Sequence, residues 1–250
     1  SVASRGLGDV YKRQVKSGAG ALTLTGANTF GGGATLSGGT VNVGSNTALG
    51  TGNVTVNGAV TLASLSNNVA LSNTFALSNA LTVGGASNLT LNGALSGAGG
   101  TLVKTGTGTL TLNATNSMGG ATLNGGTVVA GANNALGTGT ATVQGATALD
   151  AGATVSLANQ FLLNNSLSVM GTQALTLAGA LSGTGQLIKN GQANLTLATQ
   201  NTHSGGVLLN AGTLTLGIAQ SLGTGLLDVQ GAATLAAGAG NLNVGNNIRL

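Results

Sequence analysis

Beyond residue 14, the side chains able to perform acid or base chemistry are few enough to name: His203, Asp150, Asp228, and the cations Lys16, Lys104, Lys189 and Arg249. A hydrolase or lyase needs at least two carboxylates facing one bond, usually with a cation beside them. The two aspartates do not fit. The sequence repeats with a period of about 86 residues, and in that frame Asp228 aligns with Thr142 and Asp150 with Ala236. They read as isolated, solvated turn residues about one unit apart. His203, the sole histidine, falls where two earlier copies place Phe30 and Met118, which marks a structural slot that tolerates an imidazole. The three lysines do align with one another. Four stacked layers at the strand spacing would hold successive copies roughly 20 Å apart, which suits three separate structural positions better than one site.

Other chemistries are equally thin. Gly97-Ala98-Gly99-Gly100 has the glycine density of a phosphate loop, but no Gly-Lys-Ser or Gly-Lys-Thr follows and no helix is expected after it, so it reads as a turn. A calcium-binding nonapeptide roll needs a recurrent aspartate, which is missing. The chain has no Cys, which removes disulfides and thiolate metal sites and leaves the redox compartment open. No catalytic, cofactor-binding or metal-ligating residue is expected, and no cofactor.

The first fourteen residues differ from the rest. Asp9-Val10-Tyr11-Lys12-Arg13-Gln14 resembles a translated sequencing adapter, so residues 1–14 are expected not to be native. Without them the net charge falls from +4 to +2, four cations minus two anions. The pI of 10.2 therefore reflects a shortage of titratable groups, and four scattered cations cannot track a phosphate backbone, so nucleic acid is not expected as a partner. Charged residues are 4% of the chain against about a quarter ordinarily, Gly is 46 of 250, and Pro and Trp are absent. With 42% hydrophobic residues and a mean hydropathy of +0.37, the chain can bury a core. No apolar run approaches the roughly 20 residues of a transmembrane helix.

The elements that position these residues are short strands. Leu22-Thr23-Leu24, Thr40-Val41-Asn42-Val43, Val54-Thr55-Val56, Leu81-Thr82-Val83 and Leu89-Thr90-Leu91 alternate apolar with small polar residues, the period of a strand. Gly-Gly, Gly-Thr-Gly or Asn-Gly bounds each one, as tight corners require. Gly38-Gly39-Thr40-Val41 returns at 125–128 and, as Ala211-Gly212-Thr213-Leu214, once more. Ala48-Leu49-Gly50-Thr51-Gly52 recurs at 135–139 and as Ser221-Leu222-Gly223-Thr224-Gly225. Propeller blades need larger packing residues than this chain, with 2% aromatics, supplies. Ladders of Val, Leu, Ile and Ala instead predict an all-β, single-stranded parallel β-helix (β-solenoid) of about 20 to 22 residues per coil, four coils to a unit. Residues 15–250 form this segment, with units at 15–102, 103–187 and a partial 188–250.

These motifs resemble the passenger-associated transport repeats of type V secretion autotransporters. The first copy carries Lys16, Gly18 to Gly20, Leu22-Thr23-Leu24, Asn28-Thr29-Phe30, Gly32-Gly33 and Gly38-Gly39-Thr40-Val41. The second has Lys104, Leu110-Thr111-Leu112, Asn116-Ser117-Met118 and Gly119-Gly120; the third has Lys189, Leu195-Thr196-Leu197, Asn201-Thr202-His203 and Gly205-Gly206. The resemblance implies a right-handed helix exported to the bacterial cell surface or outer membrane, or secreted, and a C-terminal outer-membrane β-barrel translocator on the same polypeptide as partner. The expected function is a non-enzymatic passenger segment acting as stalk or adhesin and aiding its own export, with self-association or cell-surface glycans as further partners. Its rivals are a non-catalytic stalk of a larger exported enzyme and an ice- or surface-binding solenoid.

Overall fold

The computed structural model describes residues 12–250. The adapter reading falls largely on residues 1–11, outside the described ones; Gln14 already opens the first strand, Gln14–Lys16, in register with Ala34. Every strand pairing is parallel, and the chain winds into a β-solenoid of about 12 turns, as the alternating triplets predict. Among the described residues the one helical element is a short 3-10 turn, Ala219–Leu222. The strands carry a buried, half-buried, buried pattern, seen in Val54–Val56, Leu89–Leu91 and Leu195–Leu197. The outer apolar residues of each triplet face inward, and the intervening threonine faces out.

Register fixes coil length. Leu110 pairs with Val128, Val69 with Leu89 and Leu81 with Leu102, so a coil is roughly 18 to 21 residues long. The core is a stack of inward Leu, Val and Ala, joined by Phe75, Phe161 and Met118, all with no exposed surface. Each of these ladders removes side chains from water at about 25 cal/mol per Å² of apolar surface, which is how a chain with few aromatics holds together.

The strands form four parallel sheets, of five, ten, nine and five members. They lie on three faces. The first five-stranded sheet ends at Leu95–Ser96, and the other begins at Val155–Leu157. The gap is bridged on the same face by Ser117, whose amide donates to the Leu95 carbonyl at 2.9 Å, and by Asn133, whose Oδ1 accepts the Ser156 amide at 2.8 Å. The interruption is the second Asn-x-aromatic segment, Asn116 to Met118. Its first counterpart, Asn28 to Phe30, lies below the start of the ten-stranded sheet, where Asn46 in the next coil receives the Ala70 amide at 2.8 Å. Its third, Asn201 to His203, lies beyond the end of the nine-stranded sheet, where the Thr202 amide reaches the Leu181 carbonyl at 2.8 Å.

The repeat unit is therefore four coils plus one face, not the four coils expected. Four coils of the observed length fall short of it by about one strand and corner, so each successive copy of the motif moves to the next face.

Candidate functional site

Because the motif residues repeat, the candidate site is a set of three equivalent positions. Lys16, Lys104 and Lys189 each end a strand, and in Leu102-Val103-Lys104 and Leu187-Ile188-Lys189 an inward Leu two places earlier turns the lysine inward as well. Lys104 is 2% exposed and Lys189 fully buried. Each ammonium is held by main-chain carbonyls. Lys104 Nζ donates to Thr105 O at 2.6 Å, Gly106 O at 2.9 Å and Gly125 O at 3.3 Å. Lys16 repeats this with Ser17 O, Gly18 O and, one coil on, Gly38 O at 2.9 Å. Lys189 donates to Gly191 O and to Ala211 O. The lysine is a clip that ties a glycine corner to the same corner in the following coil. Burial pushes the Lys104 ammonium down to about 8 and lowers that of Lys189. Lys104 thus keeps its charge at neutral pH, with three carbonyls around its ammonium, and Lys189 has two.

The motif asparagines bridge three coils. Asn116 accepts the Leu95 amide at 2.7 Å from the preceding coil and donates to the Ala135 carbonyl at 2.6 Å in the following one. Asn201 does the same with the Leu181 amide and the Ser221 carbonyl, and Asn28 reaches the Ala48 carbonyl at 2.7 Å. The structure adds a second asparagine series that sequence reasoning does not single out. Asn73, Asn159 and Asn246 each grip the Leu-Gly-Thr-Gly turn of the preceding coil: Asn73 donates to Gly50 O at 3.1 Å and Gly52 O at 2.7 Å, and Asn159 and Asn246 do likewise to Gly137 and Gly139, and to Gly223 and Gly225. A signal for them exists, since their positions step by the repeat length and each follows an inward Leu71, Leu157 or Val244 by two.

His203 occupies the slot of Phe30 and Met118. In all three the backbone oxygen makes the same contact, accepting the amide of Thr51, Thr138 or Thr224 at 3.0 Å. Each side chain lies under a glycine of the next coil, Gly50, Gly137 or Gly223, with φ of 69°, 78° and 69°. A Cβ there would meet Phe30 Cδ2 at 2.5 Å, Met118 Sδ at 2.9 Å or His203 Nδ1 at 2.6 Å. Only glycine combines that φ with that closeness. The imidazole is fully buried with neither ring nitrogen hydrogen-bonded, and burial holds it down to about 4, so it is neutral at pH 7. It has the environment of a core side chain.

The aspartates are not the turn residues expected; both lie in strands of the ten-stranded sheet. Outward alternation places them there: Asp150 pairs with Val129, and Asp228 lies between Leu208 and Arg249. Asp150 accepts the Thr172 and Ala151 amides at 2.9 Å. A bidentate hydrogen bond from Arg249 holds the Asp228 carboxyl below its ordinary range, helped by Gln230. Counting registers from Ala148 to Asp228 through Ser168, Ile188 and Leu208 gives four coils, roughly 19 Å at the strand spacing, so the two carboxylates do not face one bond. Among the described residues there is no group of three His, Cys, Asp or Glu able to hold a metal ion.

Inward clips and bridges on every motif position, with small polar residues outside, define a repeat-built β-solenoid whose signature residues stabilise coils. Three segments, residues 15–43, 102–130 and 187–216, match the passenger-associated-transport-repeat family, and the chain carries three of these autotransporter passenger repeats. No curated protein and no solved structure matches it.

Proposed function

We propose that this solenoid is a surface-exposed or secreted passenger segment that serves as a stiff stalk and adhesive face, and that its repeats aid export. The observation that carries the reading is the division of labour between inside and outside. Each signature residue joins coils, while the outer faces carry uncharged columns such as Thr40, Thr61, Thr82, Thr122 and Thr142, interrupted only by Val103. Ser156, Thr176, Thr196 and Thr215 form another. About 12 coils at the strand spacing make a rod roughly 58 Å long. A chain without Cys or Pro also threads a pore unfolded with no disulfide to block it and no slow prolyl step, then adds coils one at a time onto a finished template. The passenger family implies a β-barrel translocator as the partner for that step.

The test is to coat beads with the full chain and measure attachment to bacterial and epithelial cells, alongside hydrodynamic size. An elongated particle whose beads attach supports the adhesive stalk. An elongated particle whose beads do not attach removes the adhesive half and leaves a spacer.

A further inference from the structure

We propose that the groove outside the Leu-Gly-Thr-Gly turn of the first and third repeats is a repeat-encoded site for a neutral, polyhydroxylated ligand, a sugar unit of a glycan chain. The inference rests on the adhesive reading above and gives it an address. In the first repeat a groove of about 270 Å³ is lined by Asn46, Thr47, Thr51, Ala70, Ser72 and Asn73. In the third, a groove of about 460 Å³ is lined by Ala219, Gln220, Thr224, Asn243, Gly245 and Asn246. Each residue of the second set lies two repeat lengths after its counterpart in the first, as do Gly50 and Gly223, which line them too. The same seven positions thus shape a depression twice, on two different faces of the rod. A chance hollow in one surface would not recur this way.

The chemistry of the walls selects the ligand class. No charged side chain lines either groove, so an anion has no cation to meet and a cation no carboxylate. What the walls offer is amide and hydroxyl groups, donors and acceptors together, which match sugar hydroxyls that are both at once. Leu226, 40% exposed at the edge of the third groove, adds an apolar patch for the C–H face of a ring. The third groove lies in the lower part of the range for small-molecule sites and the first just below it, enough for one or two sugar rings.

The floor is fixed in advance. Asn73 and Asn246 are tied by two hydrogen bonds each to the turn beneath, and Asn73 is only 5% exposed. Asn46 uses its Oδ1 on the Ala70 amide, which orients its amide donors. The second repeat builds the same frame with Asn133 on Ser156 and Asn159 on Gly137 and Gly139.

The experiment titrates the full chain with chitotetraose and maltotetraose, with a heparin tetrasaccharide as the anionic comparison, following threonine methyl signals by NMR. A Thr51→Lys/Thr224→Lys variant lays a long side chain across two grooves at exposed positions, and circular dichroism verifies its fold. A neutral tetrasaccharide that shifts the Thr51 and Thr224 methyls, and loses about tenfold or more in affinity in the double variant, supports the site. Shifts confined to other residues, preference for the heparin fragment, or no binding of either neutral sugar overturn it. Beads of the double variant that attach to cells as well as the parent chain also overturn it while leaving the adhesive reading intact. Parent beads that never attach remove both.

Discussion

Lys104 and Lys189 hold the same position in successive repeats, yet Lys104 stacks between Val83 and Leu123 in the nine-stranded sheet and Lys189 between Val169 and Leu209 in the ten-stranded one. The interval between them is four coils and one additional face. Lys16, in the first five-stranded sheet, completes the set. Each clip therefore secures a different corner line of the rod, and no face is left without one.

Replacing Lys104 with Met keeps the apolar stem and removes the ammonium. The carbonyls of Thr105, Gly106 and Gly125 then lose their shared donor, and the protein loses about 1–3 kcal/mol. Chemical denaturation reads the loss. Lys16→Met costs less, because Lys16 is only half-buried and water reaches its carbonyls.

Asn116→Leu preserves shape but strands the Leu95 amide and the Ala135 carbonyl, both inside the solenoid. Two unpaired buried groups put the cost at about 2–5 kcal/mol. Amide exchange in the coils on either side should accelerate first. Asn42, whose amide donates only to the exposed Thr23 hydroxyl, serves as the comparison: Asn42→Leu stays within about 0.5 kcal/mol. Equal effects at the two positions would refute the bridging role.

Acid should loosen the third repeat. In the unfolded chain His203 takes up a proton near pH 6.5, whereas burial delays this to about 4 in the folded protein. Over that interval the unfolded state binds more protons, so stability is full above pH 6.5, falls as pH drops towards 4, and levels off below. The total is on the order of 3 kcal/mol. His203→Phe, which installs the residue of the first repeat, should flatten that part of the stability profile. A profile unchanged by the substitution would show that the imidazole is not the group responsible.

Gly137→Ala sets a methyl 2.5 Å from the Met118 carbonyl oxygen at a φ of 78°. The strained backbone alone costs about 1–3 kcal/mol. Gly99→Ala, where a Cβ would meet nothing within 4 Å, should be close to neutral by thermal unfolding.

The fold is open to reading from sequence because it rests on two signals that survive without tertiary context. Triplets such as Val54-Thr55-Val56 alternate at the strand period, and glycines punctuate them at coil-length intervals. The lysine clip is legible in part: in Leu102-Val103-Lys104 the lysine occupies an inward place, but its charge argues for the surface until the ring of carbonyls around it is seen. The asparagine grip of Asn73 is harder to read: its recurrence at the repeat length marks the position, but its partners Gly50 and Gly52 lie a whole coil away, and only the winding brings them beneath it. Asp228 has the look of a turn residue until the winding brings Arg249 beside it in the next coil. The fractional coil count escapes for an arithmetical reason. The coil length expected from sequence divides the repeat nearly evenly, whereas the shorter coil set by the pairing of Leu110 with Val128 and its neighbours leaves a strand over.

That remainder has a consequence for growth by duplication. Adding one whole unit to such a rod lengthens it and also changes the azimuth of everything above the insertion by about a third of a turn. Two units give twice that change, and three restore the original bearing. Variants differing by a single unit would thus point the same tip in different directions, and only lengths differing by multiples of three units would be interchangeable in what they present.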